Sequence, residues 1–282
     1  MFHSMRIPLL CSNGIGDSFL ILGRVPIGAL GMLGFRFKIF YTTLDHPARK
    51  ILEPFFRKIR YCEYTEKEPS AREKWFFSKM LSLSMRMRKI WCPPFYQSAK
   101  HKSKGSGKKI LLHTHLDGHH GWKGATAKMW PIENWVELSR KLHDDGWEVS
   151  ILEWDEDAIR KLQLECPFLK DGRRGALVDT VKSFAEYDFL FSIDSWSKYV
   201  GVWAGMKQVV AIADLRSGYT GFESISPAQV ARWWFHGVIE NSKVKVLGLE
   251  KIEREDYVYT LSTIADMSVH NVWLAIQTCL KS

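Results

Sequence analysis

Phe189-Leu190-Phe191-Ser192-Ile193-Asp194-Ser195-Trp196-Ser197-Lys198-Tyr199-Val200-Gly201-Val202-Trp203-Ala204 is an apolar run, a polar break and a second apolar run. Residues 189–193 read as a strand buried on both faces, as the middle of a parallel sheet requires. Residues 197–204 read as the helix that follows it. Outward from this stretch the same alternation continues on both sides. Residues 208–212 read as a strand, 180–187 and 156–166 as helices, 148–152 and 109–113 as strands. Residues 131–142 form an amphipathic helix, with Trp135, Leu138 and Leu142 at helical spacing and Gly146 as its stop. Near the start, residues 6–11 read as a strand, 12–17 as a glycine turn, 18–33 as a helix and 36–41 as a second strand.

Between these two series lies Lys100-His101-Lys102-Ser103-Lys104-Gly105-Ser106-Gly107-Lys108, which offers no apolar side chain to a core and has linker composition. The expected class is therefore α/β, with two Rossmann-like domains facing a cleft. The first, 1–107, is reduced and carries the linker; the second spans 108–282.

The chain has 282 residues, 46% of them hydrophobic and 25% charged, which is enough apolar matter for a core and excludes fibrous or low-complexity classes. Arg24, Pro26 and several glycines interrupt the longest apolar stretch, 18–37, so it does not qualify as a membrane span. The run after Met1 is too short for a secretory leader, and the expected location is cytoplasmic. Five widely spaced cysteines are no disulfide framework. Charge is unevenly placed. Residues 70–109 hold eleven Lys or Arg against Glu73, a net of +10 in a chain whose total is +9. With Trp75, Phe76, Phe77, Leu81, Leu83 and Trp91 among them, these cations suit an anionic partner such as a phosphorylated lipid, membrane headgroups or nucleic acid, or else a solvated helix face.

In an open parallel sheet ligands bind beyond the carboxyl ends of the strands. Four such places carry candidate chemistry. In Asn13-Gly14-Ile15-Gly16-Asp17, glycines allow a positive φ and a close backbone approach, and Asp17 is placed either as a general base or as a helix N-cap. In Lys128-Met129-Trp130-Pro131, the lysine ahead of a helix start is placed to meet a phosphate or simply to lie in solvent. In 192–199, the polar run offers backbone N–H groups to a diphosphate, with helix capping by Asp194 or Ser195 as the alternative. In Trp154-Asp155-Glu156-Asp157, the two aspartates suit a divalent cation and nucleotide or the opening turn of a helix. His113, His115, His119 and His120 cluster without zinc-site spacing, so no metal is expected.

The glycine-Asp turn, the Lys-x-Trp-Pro-x-x-x-Trp segment at 128–135 and the strand-Asp-Ser-helix segment at 189–204 together resemble the heptosyltransferases, glycosyltransferase family 9. The order and spacing match over most of 6–17 and 109–213. The resemblance implies a GT-B fold with a nucleotide-sugar donor on the C-terminal domain and the acceptor on the N-terminal one. It implies Asp17 as the base that activates the acceptor hydroxyl, and Lys128 as the cation that neutralises the donor phosphates. Asp194, Ser195, Trp196 and Ser197 would cradle the diphosphate and Glu156 would reach the nucleotide ribose. Apart from the resemblance, the glycine turn and the basic block offer Gly14, Gly16, Arg86, Arg88 and Lys89 to the acceptor. Where the family pattern reads Asp-Ser/Thr-Gly-x-x-His, this chain has Trp196 and Tyr199 in the glycine and histidine places.

The expectation is then an inverting, metal-independent glycosyltransferase of the hexosyl or heptosyl class, without a cofactor, using a nucleotide-diphosphate sugar. Its acceptor would be an anionic saccharide or lipid-linked molecule such as lipopolysaccharide core, reached at the inner membrane face by peripheral association. The alternatives are a transferase acting on nucleic acid and a non-catalytic binding protein with a degenerate donor site.

Overall fold

The computed structural model describes residues 6–11, 14–43, 48–86, 90–94, 108–114, 128–214, 216, 224–235, 237–254 and 256–281, the side chains of 84–86 excepted. The chain divides into two compact units. One comprises Met1–Ala99 with Arg174–Lys182, the other Lys100–Arg173 with Ser183–Ser282. The return of Arg174–Lys182 to the first unit is a feature that a linear division at 107/108 does not contain.

In the first unit, β1 (Arg6–Cys11), β2 (Arg36–Tyr41) and β3 (Cys62–Thr65) form a parallel sheet in the order β1-β2-β3. Pro8 has no N–H to give a ladder, and β1 accommodates it at the sheet edge. Helices α1 (Ile15–Arg24), α2 (Ile27–Met32), α3 (Arg49–Phe56) and α4 (Ala71–Arg86) complete this part, with α4 packed on β1 and α1. The single helix expected over 18–33 is two. Val25 precedes Pro26 and is held extended (φ −116°, ψ 129°), because the proline ring excludes the helical region for the residue before it. The helix also starts earlier than expected, at Ile15 rather than after Asp17.

In the second unit, β4 (Lys109–His113), β5 (Glu148–Leu152), β6 (Lys170–Asp171), β7 (Phe189–Ile193), β8 (Lys207–Ala211) and β9 (Val244–Leu247) pair in parallel in the order β6-β5-β4-β7-β8-β9. Numbered within the unit this is 3-2-1-4-5-6, the order of dinucleotide-binding sheets. Its helices are α5 (Ile132–Asp144), α6 (Glu156–Glu165), α8 (Ser197–Ala204), α9 (Pro227–Trp233) and α10 (Val269–Lys281); α7 (Leu177–Ser183) falls almost wholly in the segment grouped with the first unit. A hairpin of β10 (Leu249–Glu253) and β11 (Asp256–Tyr259) follows β9. Every residue of β7 is buried, as a central strand covered on both faces demands.

The helix expected over 180–187 is α7 ending at Ser183 and a short 3₁₀ turn, Phe184–Glu186. The core of this unit is aromatic. Trp130, Trp135 and Phe191 meet with ring centroids 4.9–5.8 Å apart, and all three are essentially without solvent contact. No helix among the described residues is long and apolar enough to cross a membrane.

Candidate active site

The chain turns from one half of the larger sheet to the other between β4 and β7, so the crevice at their carboxyl ends is the place where an open sheet binds ligands. Three charged side chains meet there. Asp194, directly after β7, lies between two ammonium groups: Lys198 Nζ is 2.6 Å from Oδ1 and Lys128 Nζ 3.0 Å from Oδ2. Lys128 also donates to the Asp194 carbonyl, and Lys198 to the Ser195 carbonyl. The Asp194 side chain is 8% exposed, that of Lys198 4% and that of Lys128 24%. Burial alone would raise the Asp194 pKa. The charges of Lys128 and Lys198 and their hydrogen bonds outweigh it and hold the carboxyl well below the ordinary range. The cluster therefore carries two positive charges against one negative, and Lys128 is its solvent-reaching member.

Each partner is seated by its own element. Lys128 stands two residues before Trp130, whose indole N–H donates to the Met267 carbonyl at 2.7 Å and whose ring fills the aromatic core. Replacing Trp130 by Phe keeps much of the apolar contact but leaves that buried carbonyl without its donor, at an expected cost of about 1–3 kcal/mol, read from the denaturant midpoint. Lys198 is the second residue of α8, under the rings of Tyr199 (4.5 Å) and Phe235 (5.0 Å), which stabilise a cation electrostatically. Tyr199 donates its hydroxyl to the Trp234 carbonyl at 2.7 Å. Helix α8 can press onto the sheet because Gly201 has no Cβ; one built there would stand 2.6 Å from Gln208 Oε1 and 2.9 Å from a Leu190 methyl.

Neither Asp194 nor Ser195 caps α8, which corrects that alternative. The N-cap is Trp196, and no side chain caps it. Its backbone is ordinary αR (φ −59°, ψ −28°), so tryptophan in the place of a glycine costs no strain. The side chain is buried at 5%, edge-on to His113 at 5.3 Å and tilted against Phe184 at 5.7 Å. Ser197 Oγ is buried and has no hydrogen-bond partner among the described residues.

In the loop after β5, Asp155 is the N-cap of α6 and accepts from the N–H groups of Asp157 and Ala158. Asp157 is exposed, 3.4 Å from Arg160. Glu156 pairs with Arg173 at 2.7 Å, and that guanidinium holds its carboxyl below the usual range. Glu153 is a residue that the sequence reading passed over. It directly follows β5, is buried, and accepts from Thr114 Oγ1 (2.8 Å) and from the N–H groups of Trp154 and Asp155. Its signal was its position, first after a strand. Lys198 was also passed over, and its signal was the i, i+4 spacing from Asp194. Among the described residues no cluster of His, Cys, Asp or Glu is arranged to hold a metal. His115, His119 and His120 lie outside them.

In the first unit Asp17 occupies the opening turn of α1, and the N-cap is Gly14, so the capping alternative for Asp17 is corrected. Gly14 has φ −79° and ψ −178°, extended backbone that any residue adopts, and neither it nor Gly16 has a positive φ. What Gly14 supplies is bare space, since a Cβ there would meet nothing within 4 Å. Arg88, Lys89 and Asn13 lie outside the described residues, and so does the side chain of Arg86.

Solved structures share this architecture over nearly the whole chain. Escherichia coli heptosyltransferase WaaC with ADP superposes with a TM-score of 0.60 at 10% identity, covering 98% of this chain and 100% of that one. E. coli ADP-heptose LPS heptosyltransferase II gives 0.57 at 12% identity, covering 98% and 99%. WaaC with ADP-2-deoxy-2-fluoro heptose gives 0.55 at 10% identity, covering 97% and 99%. No protein-family model matches the chain, and no curated protein sequence matches it. The two α/β units with parallel sheets are thus those of the GT-B glycosyltransferase fold. Within that fold, these three structures are heptosyltransferases, and at these identities the likeness is one of fold.

Proposed function

We propose that the protein is an inverting, metal-independent glycosyltransferase that moves a heptose-like sugar from a nucleoside-diphosphate donor to a hydroxyl of an anionic acceptor such as lipopolysaccharide core. The observation that carries this reading is the Lys128–Asp194–Lys198 cluster at the switch point of a 3-2-1-4-5-6 sheet. Its two ammonium groups lie where such sheets bind diphosphates. The fold shared with enzymes solved with ADP and with an ADP-heptose analogue supports the same class of donor.

In this reading Asp17 takes the proton from the acceptor hydroxyl. The hydroxyl oxygen then bonds to the anomeric carbon from the face opposite the diphosphate, and the bond from that carbon to the phosphate oxygen breaks. The electron pair leaves with the nucleoside diphosphate, whose charge Lys128 neutralises while Asp194 and Lys198 keep it in place. Ser195, Trp196 and Ser197 contribute backbone N–H groups at the start of α8. Glu156, or the buried Glu153 three residues before it, faces the nucleoside. Gly14 and Gly16 leave the backbone bare for the acceptor, and Arg86, Arg88 and Lys89 supply cations to it.

The test is a thermal-shift panel of ADP, UDP, GDP, CDP and their sugar conjugates, with and without magnesium. One nucleotide is expected to raise Tm without magnesium, by the linkage that stabilises any native state with a bound ligand. A response that requires magnesium would overturn metal independence. A flat panel would overturn donor binding.

A second reading, a binding protein without turnover, is favoured by one observation: the Trp196 side chain occupies buried space against His113 and Phe184 at the mouth of the diphosphate loop. That reading predicts the flat panel.

A further inference from the structure

Helix α4 ends at Arg86, which the proposed function gives to the acceptor, and ahead of it has an outer face that neither the donor site nor the acceptor base uses. Residues 72, 75, 79, 82 and 83 fall on one side of it by helical spacing, and all five are exposed. On this face Trp75 is 62% and Leu83 63% exposed, two turns apart, with Arg72 and Lys79 beside them. The opposite side holds the buried Phe77, and the helix packs through that side on β1 and α1. Among the described residues Arg72, Lys74 and Lys79 have no carboxylate partner. Glu73, the one acid of the helix, points its charge elsewhere: it accepts from Ser70 N and Oγ at 2.8 Å and lies 3.9 Å from Lys38.

A large aromatic, an aliphatic and unpaired cations on one face, with no acid among them, match a lipid–water boundary. There an indole and a leucine enter the acyl border while arginine and lysine stems extend to the phosphates. We propose that α4 docks the protein on an anionic lipid surface, with Trp75 and Leu83 inserted and Arg72 and Lys79 on the headgroups. Nucleic acid would use the cations and the indole but has no use for Leu83.

The experiment is co-sedimentation of the full chain with phosphatidylcholine vesicles, with and without phosphatidylglycerol, at low and high salt. The chain is expected to sediment with the anionic vesicles alone, and salt to release it. Trp75→Ser with Leu83→Ser, and separately Arg72→Glu with Lys79→Glu, are each expected to weaken binding about tenfold or more. Because these side chains are exposed, the thermal melts should stay unchanged.

Absence of sedimentation at low salt, or equal binding to neutral vesicles, would overturn the proposal. Variants that bind like the parent chain would do the same. So would loss of binding on Met32→Ser with Leu33→Ser alone, since those exposed residues at the end of α2 are the competing apolar tip of this unit. Binding of labelled duplex DNA in place of vesicles, abolished by the same α4 variants, would assign the face to nucleic acid instead.

Discussion

Asp17→Asn is expected to lower turnover by about 10²–10⁴-fold while leaving donor affinity within about twofold, because it removes a general base and keeps the shape of the side chain. The geometry of α1 is what makes the carboxylate suitable. Asp17 is in the first turn, where the exposed N–H groups of the helix start are directed. Gly14 takes the capping position with no side chain of its own, so Asp17 is not consumed as the N-cap. The measurement is release of nucleoside diphosphate from the donor selected by the thermal-shift panel, with truncated lipopolysaccharide core as acceptor. Donor affinity is followed separately by calorimetry. Unchanged turnover would remove Asp17 from the chemistry. A parallel loss of donor affinity would mean that the residue holds structure rather than a proton.

How far the sequence is readable depends on where the packing forces act. Strands β1, β2, β4, β5 and β7 have the bounds that their apolar runs predict, because a strand buried on both faces writes its limits as a change from apolar to polar residues. Local stereochemistry was legible in principle at Pro26, where the restricted residue before a proline divides α1 from α2; an apolar pattern that runs through it conceals the break. Residues 214–282 carry little of the family pattern. The hairpin β10–β11 is half exposed and polar, and α10 shows its role only once the sheet it covers is known. Of the site, Lys128 and Asp194 were legible from their places before a helix and after a strand. That they bond to each other across 66 positions is a tertiary fact, produced by Trp130 anchoring its segment in the core. Trp196 shows the limit of motif arithmetic. A missing glycine reads as a lost phosphate loop, but the backbone there is right-handed helical and places no demand for glycine on the residue.

Asp194→Ala is expected to destabilise the fold by about 3–5 kcal/mol, since it breaks a buried ion pair by removing the carboxylate 2.6 Å from the Lys198 ammonium, a side chain 4% exposed. Lys128 suffers less, being 24% exposed and able to turn to water. Two further results follow from the same electrostatics. Asp194→Ala combined with Lys198→Met should recover most of the loss, because a methionine in the aromatic surroundings of Tyr199 and Phe235 needs no partner. The acid limb should also change. The Asp194 carboxyl titrates lower in the folded chain than in the unfolded one, so its contribution is complete above the ordinary value of 3.8 and is lost as the pH falls below it. Lys128→Met withdraws one of the two cations that depress this pKa, and acid unfolding should then begin at higher pH than in the parent chain. Denaturant midpoints at constant m check the first pair of results, and pH titration of the far-ultraviolet dichroism checks the last. If the double variant were no more stable than Asp194→Ala alone, the loss would not come from the broken ion pair. Asp194 would then act through its backbone loop, and the two-lysine account of the site would fail with it.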